Sequence, residues 1–112
     1  MKIYFKNRSK SIDAVGIVND GSDWIVCKGS KVSMEESKTI STRIASLRGT
    51  PGLIKEGILQ KDMHFNSAST AGQFVSGCSV NGMRVWKTKD GESVSSCVAS
   101  KQRKPFKNTE AQ

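Results

Sequence analysis

One segment of this chain reads well only as a helix, and it limits what the rest can be. Ser67 has the right residue type for an N-cap, Ala71, Phe74, Val75 and Cys78 follow at i, i+3, i+4 and i+7, and Gly77 is placed to end the helix. A helix this short cannot hide its apolar stripe unaided, so a second layer has to cover it. The segments around it alternate polar and apolar residues between turn signals, which makes that layer a sheet. Ser11 to Val18 and Trp24 to Cys27 flank Asn19-Asp20-Gly21-Ser22 and predict a hairpin, with Ile3-Tyr4-Phe5 as a strand before it and Gly29 at a bend after it. Ile58 to Phe65 predicts a further strand. Beyond the helix, Asn81-Gly82 predicts a turn in which both residues tolerate positive φ. It leads into a strand over Met83 to Lys87, a second turn at Asp90-Gly91 and a returning arm from Glu92 to Val98.

Two weaker helical patterns lie between Lys31 and Gly57. Ile40, Ile44 and Leu47 share one helical face, and Gly49-Thr50-Pro51-Gly52 interrupts the pattern. Thr50 can then cap a second short helix, with Pro51 in its first position and Gly57 at its end. The resulting order is β-β-α-α-β-α-β-β. It defines an α+β fold: a small, mostly antiparallel sheet built from hairpins, with two to three short helices packed on it. A length of 112 residues holds one such domain, over residues 1–99, and residues 100–112 read as a disordered basic tail.

Charge is segregated along the chain. The formal net charge is +8, yet residues 11–82 hold seven bases and seven acids. The excess lies at the ends: Lys2, Lys6, Arg8 and Lys10 in the first ten residues, and seven bases from Arg84 to Lys107 against Asp90 and Glu92. That polarity favours a polyanionic partner, nucleic acid before an anionic membrane surface, although solvated basic ends would look the same. No run approaches the roughly 20 apolar residues of a membrane span, and Met1 to Lys6 is too short for a signal peptide, so a cytoplasmic protein is expected. Cys27, Cys78 and Cys97 form no CxxC pair and leave one thiol over in any disulfide scheme, which suits a reducing compartment.

Catalytic constellations are missing. His64 stands fourteen residues from the nearest cysteine without a carboxylate cluster, so it reads as a half-exposed strand residue rather than a metal ligand or base. There is no GxSxG elbow, Walker loop or dinucleotide fingerprint, and no metal or cofactor is expected. Binding residues are easier to nominate. Ser67, Ser69 and Thr70 at a helix start, with its free N–H groups and positive dipole end, can hold a phosphate, or can simply cap the helix. If Met83 to Lys87 is a strand, Arg84 and Trp86 share a face and can grip phosphate or stack on a base; alternatively Trp86 is core with the Arg84 stem over it. Trp24 and Phe74 read as core.

The run from Phe65 to Lys87, with its Phe-Asn-Ser-Ala-Ser-Thr-Ala helix start, its Asn81-Gly82 turn and Trp86-Lys87, resembles the domain of unknown function 4357 family. That family is often appended to GIY-YIG nucleases and is similar to the RAMA domains associated with restriction enzymes and adenine methylases. Val26-Cys27-Lys28-Gly29-Ser30 and Leu53-Ile54-Lys55-Glu56-Gly57-Ile58-Leu59 extend the likeness to about residues 11–95. Ala68 stands where a proline is usual and Gly72 where an alanine is usual. The resemblance implies no catalytic residues. Taken together with the basic ends, the likeness to RAMA domains points to a non-enzymatic DNA-binding module, a reader of modified DNA or an accessory of a restriction-modification or nuclease system. The alternative is a protein-interaction module that docks on a nuclease or methylase partner. The candidate contacts are Ser67, Ser69, Thr70, Asn81, Gly82, Arg84, Trp86, Lys87 and Lys89, of which Asn81-Gly82 can equally serve the turn.

Overall fold

The computed structural model describes residues 1–20 and 22–94. The proposed tail at 100–112 and the end of the returning arm lie outside them. The first three strands are β1 (Lys2–Asn7), β2 (Ile12–Asp20) and β3 (Asp23–Val26), followed by helix α1 (Thr42–Arg48). Strands β4 (Ile54–Lys55), β5 (Ile58–Leu59) and β6 (Met63–Phe65) come next, then helices α2 (Ala68–Ser76) and α3 (Gly82–Val85). A four-stranded sheet in the order β1-β2-β3-β6 is antiparallel throughout, and β4 and β5 form a separate pair. This is the small α+β architecture that the hairpin signals and the capped helix predict.

Strand alternation sorts the side chains between two faces. Ile3, Phe5, Ile12, Ala14, Trp24, Val26 and Phe65 point inward and are buried. They meet Ala71, Phe74 and Val75 from α2, together with Trp86 and Val94. The Phe5 and Trp86 rings meet edge to face at 5.6 Å, and Phe65 lies 5.2 Å from Phe74. Such aromatic pairs each contribute about 0.5–1.5 kcal/mol beyond the area they bury.

Helix α2 is built as its sequence predicts. Ser67 Oγ accepts the Thr70 N–H at 3.1 Å, and Gly77 ends the helix at φ 74. Glycine is required there twice over, because a Cβ at Gly77 would also overlap the Glu35 carbonyl oxygen. Helix α1 is shorter than its pattern. Ser41 caps it through the Ile44 N–H, so Ile40 lies outside, although it still packs on the core. Cys78 falls beyond α2 and is half-buried instead of completing the apolar stripe.

Three predicted elements take another form. In place of the second helix expected over Thr50 to Gly57, residues 50–53 turn the chain into the β4–β5 hairpin. Glu56 and Gly57, at φ 51 and 80, make a two-residue loop with both residues left-handed, the geometry that matches strand twist and that no helix contains. The strand expected from Ile58 to Phe65 is divided between β5 and β6. In the gap, Gln60 N–H bonds the Leu53 carbonyl and Asp62 accepts the Lys28 N–H at 2.7 Å. Finally, the strand expected over Met83 to Lys87 begins as α3, with the Arg84 and Val85 N–H groups on the Asn81 carbonyl and Trp86 N–H on that of Gly82. Asn81 has φ −84 and Gly82 has no positive φ, so this is not the predicted left-handed turn. The chain becomes extended only at Trp86. The Asp90-Gly91 turn then returns it, so that Lys87 bridges Ser93 and Val94 N–H bonds the Trp86 carbonyl.

Candidate functional site

The candidate residues separate into two places. Ser67, Ser69, Thr70, Gly82 and Trp86 gather where α3 meets the start of α2. Ser67 Oγ is shared between the Thr70 N–H and, at 2.7 Å, the Thr70 hydroxyl. Ser69 Oγ accepts the Gly82 N–H at 3.2 Å, and Trp86 Nε1 donates to the Ala68 carbonyl at 3.2 Å. Gly82 is buried against the backbone of Ala68 and Ser69. These groups hold two helices together, so the hydroxyls of Ser67 and Ser69 are already engaged within the fold. Trp86 is only 1% exposed and offers no ring face to a base, whereas Arg84 is exposed on α3, so the two do not share an outward face. Asn81 is exposed and its side chain makes no cap bond.

Lys87 and Lys89 belong to the second place, together with residues that the sequence reading left in the basic N-terminal segment. Alternation in β1 buries Ile3 and Phe5 and turns Lys2, Tyr4 and Lys6 outward. Beside that strand runs the extended segment after Trp86. Tyr4 N–H donates to the Lys87 carbonyl at 2.7 Å, and Lys87 N–H donates to the Tyr4 carbonyl at 2.8 Å. Lys87 and Lys89 are thereby brought beside the basic β1 strand.

A groove of about 280 Å³ opens along the seam, walled by Tyr4, Lys6, Val85 and residues 87–89 and reaching Gly91. The Lys2 and Lys6 ammonium groups each stand 5.9 Å from the Tyr4 ring centroid, a cation–π separation. Asp13, opposite Lys6 in the β1–β2 register, is the acid on the outward side of that pair. Thr88 Oγ1 is buried and has no hydrogen-bond partner among the described residues. Lys-x-Tyr-x-Lys in a predicted strand was the available signal for the β1 half. Nothing local announces that it meets Lys87.

Other polar groups are accounted for by structure. His64, exposed on β6, pairs with Asp23 at 3.0 Å. The Asn19 amide and then the His64 ring hold the Asp23 carboxyl below its usual range. Among the described residues, no group of three or more His, Cys, Asp or Glu is placed to hold a metal ion. Arg48, a residue the sequence reading did not single out, buries its guanidinium between the Phe74 carbonyl at 2.8 Å and the Ser33 carbonyl, with Glu36 at 3.1 Å. Cys78 Sγ lies 3.3 Å from Lys10 Nζ. Burial opposes ionisation of that thiol, but its hydrogen bonds with Ser76 and Lys10 and the charges of Lys10 and Arg48 outweigh it and bring it below its ordinary range. At Cys27, burial and then the Asp62 charge act the other way.

The fold and this seam define a small α+β module with a cationic groove at one edge of its sheet. The chain belongs to the family described as a domain of unknown function (DUF4357), which matches residues 3–98. No curated protein and no solved structure matches it. Among the described residues, no helix is long and apolar enough to cross a membrane.

Proposed function

We propose that the chain is a non-enzymatic DNA-binding module that grips the phosphate backbone through Lys2, Lys6, Lys87 and Lys89. The observation that carries this reading is the reciprocal pairing of Tyr4 with Lys87, which sets Lys87 and Lys89 beside the lysines of β1, on a chain whose residues 11–82 are neutral. Exposed ammonium groups set along a groove draw in a polyanion and release its counterions. The resemblance to domains attached to nucleases and methylases supports the finer statement, an accessory role in a restriction-modification or nuclease system. Reading of a modified base by Trp86 forms no part of the proposal, since that ring is core.

Titration of a short duplex at several salt concentrations tests it. Four neutralised phosphates give a log–log slope of about −3.6, roughly a hundredfold loss of affinity between 50 and 200 mM salt. Alanine at all four lysines should flatten the slope while leaving the fold intact, because all four side chains are exposed. Binding that ignores salt, or no binding at low salt, refutes the proposal.

A second reading rests on the outward sheet face, where half-buried Val15, Ile25 and Cys27 surround Ile17, which is 37% exposed. That apolar centre suits docking on a nuclease or methylase partner. Recovery of such a partner after nuclease digestion, lost with Ile17→Lys, would favour it over DNA.

A further inference from the structure

We infer that the groove beside Tyr4 takes an unpaired nucleobase, so that the preferred ligand is unpaired rather than fully paired DNA; this rests on the backbone-binding proposal and extends it. A site for duplex phosphates alone needs only exposed cations. This groove has more. Tyr4 is half-buried in its wall, with lysines on both sides of the ring along the strand and two more from the facing segment. Aromatic rings flanked by cations are the arrangement on which successive bases stack while their phosphates are neutralised, and stacking tolerates any base because every base has a π face.

Size agrees with this. About 280 Å³ lies just under the roughly 300–1,000 Å³ of ordinary small-molecule sites, which leaves room for a planar ring with its sugar and little more. Chemistry agrees as well. Thr88 is in the groove wall, and its hydroxyl is the buried side-chain group that has no partner among the described residues. A buried hydroxyl without a partner costs stability, so a small shift of the wall that opened it to the polar edge of a base would be favoured. A duplex keeps its bases stacked inside and can offer Tyr4 and Thr88 only sugar and phosphate.

The experiment uses the full chain and three probes of equal length: single-stranded oligothymidylate, a fully paired duplex, and a duplex with one unpaired thymidine. The two probes with unpaired bases should bind tighter than the paired duplex. Tyr4→Leu should weaken both by about five- to a hundredfold and so abolish the preference over the paired duplex, with the salt slope kept because all four lysines remain, while Tyr4→Phe retains the preference. Ultraviolet crosslinking of oligothymidylate to the unaltered protein, mapped by peptide mass, should fall on Tyr4 and does not depend on how the variants fold. Equal salt-dependent binding of all three probes, or a crosslink confined to other segments, overturns the stacking site and leaves backbone binding standing. Absence of salt-dependent binding to any probe overturns both.

Discussion

Replacing Gly82 with alanine should be among the most damaging single changes in the protein. A Cβ at this position would stand 2.1 Å from the carbonyl carbon and oxygen of Ala68, where ordinary contact begins near 3.4 Å, so α3 would have to retreat by about 1.3 Å. All of the obstructing atoms are backbone within a helix, which cannot step aside. The retreat breaks Gly82 N–H to Ser69 Oγ and Trp86 Nε1 to the Ala68 carbonyl. Each such bond contributes about 0.5–1.5 kcal/mol. Displacing the buried Trp86 ring from Phe5 adds about 1–3 kcal/mol of repacking, for a total of roughly 2–6 kcal/mol. In a domain of this size each kcal/mol lowers Tm by about 4–8 °C, so thermal unfolding followed by circular dichroism should show a fall of more than about 8 °C, or no folded protein. Gly82→Asn decides the cause. If glycine served only a left-handed turn, asparagine would be tolerated; the steric account requires it to do at least as much harm as alanine. Gly91 is the control, at φ 87 with nothing within 4 Å of an added Cβ, so Gly91→Asn should cost under about 1 kcal/mol. A mild Gly82→Asn would refute the reasoning.

Arg48→Met should lower the urea midpoint by the equivalent of about 2–6 kcal/mol at constant m, because it leaves the buried Phe74 and Ser33 carbonyls without their donor. Glu36→Gln should cost under about 1 kcal/mol, since that carboxylate's side chain is 43% exposed. Cys78 should be alkylated by iodoacetamide with a pH midpoint below that of Cys27, because the Cys78 thiol is shifted down and the Cys27 thiol up; Lys10→Met should move the Cys78 midpoint upward and leave Cys27 in place. Peptide mass mapping across a pH series gives both midpoints, and an unchanged Cys78 profile in the variant would show that Lys10 does not set it.

The elements legible in the sequence are those whose signals are local. Ser67 and Gly77 cap one helix whose apolar face centres on Phe74, and the alternation of Ile3, Phe5, Ile12, Ala14, Trp24 and Val26 assigns three strands to one buried face. Asp90-Gly91 turns the chain where expected. The failures are short elements decided by distant partners. Four residues from Gly82 to Val85 are too few to separate a helical period from an alternating one, and the choice is made by the fit of Gly82 against α2. Thr50-Pro51 is a good helix start by type, but paired left-handed residues at Glu56 and Gly57 make a hairpin instead. The same division applies to the site. Lys87 and Lys89 could be nominated from charge alone, whereas Tyr4, Lys2 and Lys6 join them only through a backbone bridge between the two ends of the domain. Ser67, Ser69 and Trp86 looked like ligand contacts because the polar atoms that tie α2 to α3 are of the same types that bind phosphate and bases.

The most direct test of the central claim is a titration of the isotopically labelled protein with oligothymidylate, followed by amide chemical shifts. The groove account predicts that the amides of residues 2–6 and 87–91 move together and saturate together, while those of Ser69, Thr70 and Arg84 stay close to their free positions. Shifts centred on the start of α2 and on α3, with β1 unmoved, would contradict it.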